Sequence, residues 1–291
     1  MKLVTFTHGG KTRIGAVIAE DVVDVSGQGR NVPSDMLAFL EQGAPAMEQA
    51  REACASGRGR LALADVQLEA PLRRPPKILA VGLNYRDHIE ETGRPMPEVP
   101  MIFNKQSTAV TGPGAAIWRP KDSVELDYEG ELGVVIGKRC RRVPKDKAAT
   151  VIAGYTIVND VSVRDWQARS ATTTMGKSWD THCPMGPYIV TTDEVPDPHR
   201  LDLKTWVNGE LRQNSNTKHL IFNCFDIVEH LSTAFTLEPG DVIATGTPSG
   251  VILGMDPKIW LKRGDVVRIA IDQLGVLENP VVDEPTSTVQ Y

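Results

Sequence analysis

Glu129, Glu131 and Asp160 pose the first chemical question of this sequence. In LDYEGELGVVIGK (126–138), Asp127, Glu129 and Glu131 precede an apolar run. Side chains of an extended chain alternate faces, so the three carboxylates are expected to line one side of a strand. Like charges that close raise one another's pKa unless a cation, buried arginines or solvent relieves them. In GYTIVNDVSVRDWQ (154–167) an apolar strand ends at Asn159-Asp160, and strand ends are where sites are commonly built. Asp160 can thus join Glu129 and Glu131. Three carboxylates form an all-oxygen set that suits Mg²⁺ or Mn²⁺, with Ca²⁺ also compatible, and leave positions open for water or substrate. Spacing alone equally describes a solvated strand face, with Asp160 capping the helix that follows. Arg164 and Gln167 come four and seven residues after Asp160 and share a helical face with it.

His88 and Glu91, in VGLNYRDHIEETG (81–93), are three apart. On a helix the carboxylate reaches the imidazole and raises its basicity, which makes a general-base dyad; an incidental surface ion pair has the same spacing. The stretch ATTTMGKS (171–178) nearly matches a phosphate-binding loop. It lacks both the preceding apolar strand and the following helix that such a loop requires, so Lys177 reads as a lone cation near the acids. In ATGTPSG (244–250) the amides and hydroxyls of Thr245 and Thr247 offer an anion site or an ordinary turn.

The elements that must position these groups are mostly strands. Residues 2–25 read as short strands, and Ser34 is placed to cap a helix running toward Cys54. EAPLRRPPKI (69–78) reads as a linker between a small unit, 1–70, and a larger one, 71–291. Beyond it, Asn208-Gly209 marks a hairpin, and two Gly-Asp turns each lead into an apolar strand. Phe222, Phe225, Val228, Leu231 and Phe235 recur at helical spacing and read as core. There is no βαβ alternation, so the expected class is α+β, mainly β.

The 291 residues, 41% hydrophobic with net charge −5, make an ordinary globular chain. No basic patch points to nucleic acid, and no long apolar run points to a membrane. The start lacks a secretory pattern, so a cytoplasmic location is expected. Four dispersed cysteines suggest reduced thiols.

Taken together, VGLNYRDHIEETG, DYEGELGVVIGK, GYTIVNDVSVRDWQ, GKSWDTHCPMGP and EPGDVIATGTPSGV resemble the fumarylacetoacetate hydrolase superfamily in order and spacing, from Ile78 to Val282. The resemblance implies a roll of mixed β-sheets with a small N-terminal α/β domain, usually a homodimer. It implies Glu129, Glu131 and Asp160 as metal ligands, with Asp127 a neighbour. Lys177 would meet the substrate's charged oxygens, Thr247 its carboxylate, and Arg164 and Gln167 would face its pocket. His88 and Glu91 would fall on a mobile lid and activate water. The implied reaction is hydrolysis of a carbon–carbon bond in a 2,4-dioxo acid (an acylpyruvate) through a metal-stabilised enolate, releasing pyruvate and a second acid. Relatives with the same motifs isomerise 2-hydroxyhepta-2,4-diene-1,7-dioate or decarboxylate oxaloacetate. A non-catalytic protein holding a structural Ca²⁺ is the rival reading, disfavoured by a dyad beside the metal set. One departure stands out: the family's Val-Gly-x-Gly after TGTPSG is Val251-Ile252-Leu253-Gly254 here.

Overall fold

The computed structural model describes residues 1–27 and 32–286. At its centre is strand Gly130–Ile136, whose sequence GELGVVI is buried at every position. Such a run, without alternation, belongs to a strand covered on both faces. It pairs antiparallel with Ile152–Asn159 on one side and Val242–Ala244 on the other. The sheet extends to Cys183–Thr191 beyond the first neighbour, and to Ile78–Gly82 and Met101–Lys105 beyond the second. Val242–Ala244 runs parallel to Ile78–Gly82, so the sheet is mixed.

A second sheet is built from Glu210–Asn216, Asp202–Val207, Val266–Ile271, Gly275–Asp283 and Ile117–Arg119. Leu132, Val134 and Ile157 of the first sheet share one apolar cluster with Leu203, Ile269 and Leu277 of the second. The expected mainly β architecture with few helices is the one observed.

Local chemistry explains the punctuation. Asn208 and Gly209 both have positive φ, 53° and 82°, which closes a two-residue turn whose twist matches the hairpin between Asp202–Val207 and Glu210–Asn216. The two Gly-Asp turns share a device: Asp241 accepts from the Glu238 N–H and Asp265 from the Lys262 N–H, each at 2.8 Å. Helix Cys224–Ala234 starts in a capping box between Asn223 and Asp226. Phe222, Phe225 and Phe235 pack against the main core, as their spacing implied.

Residues 2–56 supply strands Lys2–His8, Lys11–Ile18 and Asp21–Asp24 and helices Met36–Gln42 and Ala44–Ser56. Two expectations need correction. The helix cap is Asp35, which accepts from the Ala38 N–H at 3.0 Å, and not Ser34; both residues suit that position, and sequence does not rank them. The single run toward Cys54 is two helices, because Gly43 adopts φ 63° and ψ −131° between them.

The segment read as a linker is packed down at Ala70, Pro71, Leu72 and Pro75, while Arg73, Arg74 and Pro76 are exposed. Strand Lys2–His8 pairs with Cys183–Thr191, so the N-terminal strands continue the main sheet. Leu3, Ile14 and Phe39 lie in one cluster with Ile78, Val135, Val158 and Ile189. No helix among the described residues is long and apolar enough to cross a membrane.

Candidate active site

Strand register brings the acids together. Gly130 pairs with Asn159, and the Asp160 N–H donates to the Glu129 carbonyl at 2.9 Å. Glu129 and Glu131 from one strand therefore meet Asp160 at the end of its neighbour. One carboxylate oxygen from each lies within 4.8 Å of the others, and all three residues are buried. Asp127 stays out. The strand breaks after it, Leu126–Asp127 pairing instead with Ser162–Val163 in a separate ribbon. Its carboxylate accepts from Arg164 Nε at 2.8 Å and from the Ile252 and Leu253 amides at 2.9 and 3.1 Å. The expected row of three acids on one face is thus two acids, completed from another strand.

Cations tie the cluster down. Lys177 Nζ lies 2.7 Å from Glu129 Oε2 and 2.8 Å from Asp160 Oδ2, and Arg164 Nη2 lies 2.7 Å from Glu129 Oε1. Burial opposes ionisation of Glu129, but the charges of Lys177 and then Arg164 outweigh it and hold the carboxyl well below its ordinary value. Glu131 goes the other way. Burial first, then the charges of Asp160 and Glu129, push its pKa well above the ordinary value. Its described hydrogen bond comes from the neutral Gly246 amide, at 2.7 Å. Buried carboxylates at ligating distance, one of them disfavoured as an anion, form the donor set that a hard divalent cation takes. The residues fit Mg²⁺ or Mn²⁺.

Above the acids stands helix Arg86–Thr92. His88 Nδ1 lies 3.0 Å from Glu91 Oε2, and Glu91 Oε1 accepts from the Gly250 amide at 2.9 Å. Asp87 accepts from Ser215 Oγ at 3.0 Å. The helix is therefore latched to the loop that follows Thr247. A side chain at Gly254 would collide with the Glu91 carboxyl. The departure after TGTPSG thus keeps its glycine where Glu91 needs room, while Ile252 is buried and Leu253 lines the cavity.

That cavity, about 80 Å³, is lined by His88, Glu129, Glu131 and Lys177. Arg164, Gln167 and Thr247 also reach it. Gln167 Oε1 accepts from Arg164 Nη1 at 2.9 Å, which orients its amide. The Thr247 hydroxyl donates to the Gly130 carbonyl at 3.0 Å and accepts from Gln213 Nε2 at 2.8 Å. A substrate carboxylate reaching Thr247 has to draw that proton from the carbonyl. The phosphate-loop look-alike carries only a one-turn helix, Thr174–Lys177, and its ammonium is engaged by two carboxylates. A larger cavity, about 610 Å³, lies beside Pro71 and Arg73, but its lining contains no histidine, cysteine or lysine.

The sequence matches the family described as fumarylacetoacetate (FAA) hydrolase C-terminal over residues 77–282. The chain belongs to the fumarylacetoacetate hydrolase family. It is 41% identical over 288 residues to a protein named mitochondrial oxaloacetate tautomerase in Xenopus laevis, covering 97% of this chain and 90% of that one. Maleylpyruvate hydrolase from Sphingobium sp. SYK-6, solved in complex with manganese(II) ion and pyruvate, superposes with a TM-score of 0.82 at 34% identity, covering 98% of this chain and 100% of that one. A 5-carboxymethyl-2-hydroxymuconate delta-isomerase from Mycobacterium smegmatis gives 0.79 at 36% identity, with the same coverage. Proteins named as a hydrolase, an isomerase and a tautomerase are thus all similar to this chain over nearly its whole length.

One residue of this family member escaped the sequence reading. Lys105, at the end of strand Met101–Lys105, is 3% exposed. Its Nζ donates to Asp160 Oδ1 at 2.6 Å, to the Val161 carbonyl at 3.2 Å and to the Lys177 carbonyl. It ties the acid at the strand end to the backbone that carries the lysine. Lys105→Met leaves a buried carboxylate short of a cation and two carbonyls short of a donor. Breaking one side of a buried pair costs roughly 3–5 kcal/mol. Denaturant unfolding should register a loss of that order; a loss under about 1 kcal/mol, the worth of a surface pair, would show that Lys177 alone compensates Asp160.

Proposed function

We propose that this chain is a divalent-metal-dependent enzyme acting on small 2-oxo dicarboxylic acids, with keto–enol interconversion of oxaloacetate as its main reaction. The observation that carries the reading is the size of the cavity, about 80 Å³ with Leu253 in its wall. Pockets for drug-sized ligands begin near roughly 300 Å³, so a short acid suits this space and a long-tailed one does not. The tautomerase name of the Xenopus laevis relative agrees.

Glu129, Glu131 and Asp160 would hold the ion, and bound there it supplies Lewis acidity that polarises a 2-oxo group and balances negative charge on its oxygen. The side chains do the rest. Asp127, Glu129, Glu131 and Asp160 against Lys105, Lys177 and Arg164 leave one net negative charge, which a divalent cation turns to one positive, a sign that receives an acid. With Nδ1–H donated to Glu91, His88 presents a lone pair on Nε2. That nitrogen takes the proton from the carbon next to the 2-oxo group and returns it to the enolate at oxygen, or the reverse. Lys177 neutralises carboxylate charge beside it.

The second reading is acylpyruvate hydrolysis, favoured by the His88–Glu91 dyad, which can take a proton from water, and by the maleylpyruvate hydrolase with its bound pyruvate. A panel separates the two: enol loss and pyruvate release from oxaloacetate and from several acylpyruvates, each with Mg²⁺ and Mn²⁺. Higher kcat/KM on oxaloacetate enol supports tautomerisation. The opposite order makes this a hydrolase, and turnover undiminished by a chelator sinks both readings.

A further inference from the structure

We infer that Arg94 receives the distal carboxylate of the substrate and sets the enzyme's preference for diacids over monoacids. The inference rests on the diacid reading above, and extends it to a residue with no motif of its own.

Three observations converge on Arg94. Its place is fixed: Gly93, at φ 64°, ends the helix that carries His88, and the Arg94 amide donates back to the Ile89 carbonyl at 3.3 Å. It is one of the residues lining the cavity that holds His88, Glu129 and Glu131. Its charge is unmatched: among the described residues no carboxylate pairs with Arg94, whereas Lys177 and Arg164, the other lining cations, are both ion-paired to buried acids.

Electrostatics then divides the labour. The cations at the bottom of the cavity are occupied in holding the acids, so their attraction for a second anionic group is largely cancelled. An exposed arginine at the rim keeps its full charge and a planar fork of donors that matches a carboxylate bidentately. The neighbouring wall, Leu83, Met101 and Phe103, is apolar and offers an anion nothing. A monoacid such as pyruvate engages only the bottom of the cavity, while oxaloacetate places its other carboxylate toward Arg94.

The test uses the full chain loaded with Mn²⁺. For Arg94→Ala, KM for oxaloacetate should rise about ten-fold, the scale of one charge-assisted contact at a solvated rim, with a much smaller change in kcat. The competitive inhibition constant of pyruvate should not move, and Arg94→Lys should recover part of the loss. Parallel weakening of pyruvate and oxaloacetate would overturn the inference, because Arg94 would then act through helix placement or long-range attraction. An unchanged KM would overturn it as well. Should the wild type fail to turn over oxaloacetate, the proposed function falls separately. Calorimetric binding of oxaloacetate and pyruvate to the Mn²⁺-loaded wild type and Arg94→Ala still decides: selective loss of oxaloacetate affinity supports the assignment, and equal or no loss rejects it.

Discussion

Glu131→Gln should abolish activity with any divalent ion, by at least about 10³-fold, while the metal-free protein unfolds at the same temperature as wild type or slightly above it. The activity loss follows if Lewis acidity contributes roughly 4 kcal/mol, since each 1.36 kcal/mol is a factor of ten. The unchanged stability follows from the asymmetry of the cluster. Glu129 is paired with Lys177 and Arg164, and Asp160 with Lys105 and Lys177, so neutralising Asp160 leaves Lys105 without a carboxylate, and neutralising Glu129 leaves Lys177 and Arg164 with one carboxylate each. Glu131 is the carboxylate whose ionisation the site opposes, and a glutamine oxygen can keep the bond from the Gly246 amide. Thermal unfolding of both variants without metal, then with Mn²⁺, separates these roles. Wild-type protein should be stabilised by Mn²⁺ and Glu131→Gln should not. Glu129→Gln should melt lower in both conditions. Full activity of Glu131→Gln without added metal would falsify the metal site, and a melting temperature as depressed as that of Glu129→Gln would remove the asymmetry.

The second large effect concerns His88. Attack of water on a 4-carbonyl needs a base, a contribution typically of roughly 10² to 10⁴ in rate, and tautomerisation needs a group that carries a proton between carbon and oxygen. His88→Ala should therefore cut both reactions by at least about 10²-fold. Decarboxylation of oxaloacetate breaks its bond without water and without a proton leaving carbon, so any such activity of the wild type should survive. Three assays on one preparation decide it. Equal losses in all three mean that the imidazole mainly shapes the cavity, and three unchanged rates reduce the pair to a structural contact. Glu91→Gln gives a graded check: the Gly250 amide keeps an acceptor, but the imidazole loses the carboxylate that orients it.

What could be read from sequence was whatever depends on short spacing. Glu129 and Glu131 share a face because strands have period two, and His88 meets Glu91 because helices bring i and i+3 together. The turn at Asn208-Gly209 was legible because few residues accept positive φ. The rest depends on tertiary approach. Nothing in MIFNK distinguishes Lys105 from a lysine guarding an edge strand; only the packing of its strand against Asp160 and the Lys177 loop gives it a role. The break after Asp127 is equally hidden, because the acid is drawn aside by Arg164 and by amides more than a hundred residues away. The prolines of 69–78 suggested a tether, and prolines serve a partly buried stretch just as well, since Pro71 and Pro75 bring no N–H that would need a partner there.

The joining of Lys2–His8 to Cys183–Thr191 carries a meaning for descent. The segment that matches the family, 77–282, shares its main sheet and an apolar cluster with the first seventy residues. Excised at its own boundary, it would uncover Ile78, Val135, Val158 and Ile189 and leave Cys183–Thr191 with a bare edge, an invitation to pair with the nearest other chain. Recombination that trades the first seventy residues for another module must therefore supply a strand of matching register and an apolar face of matching shape. Arg94 and Leu253, which line the cavity, belong to neither side of that seam.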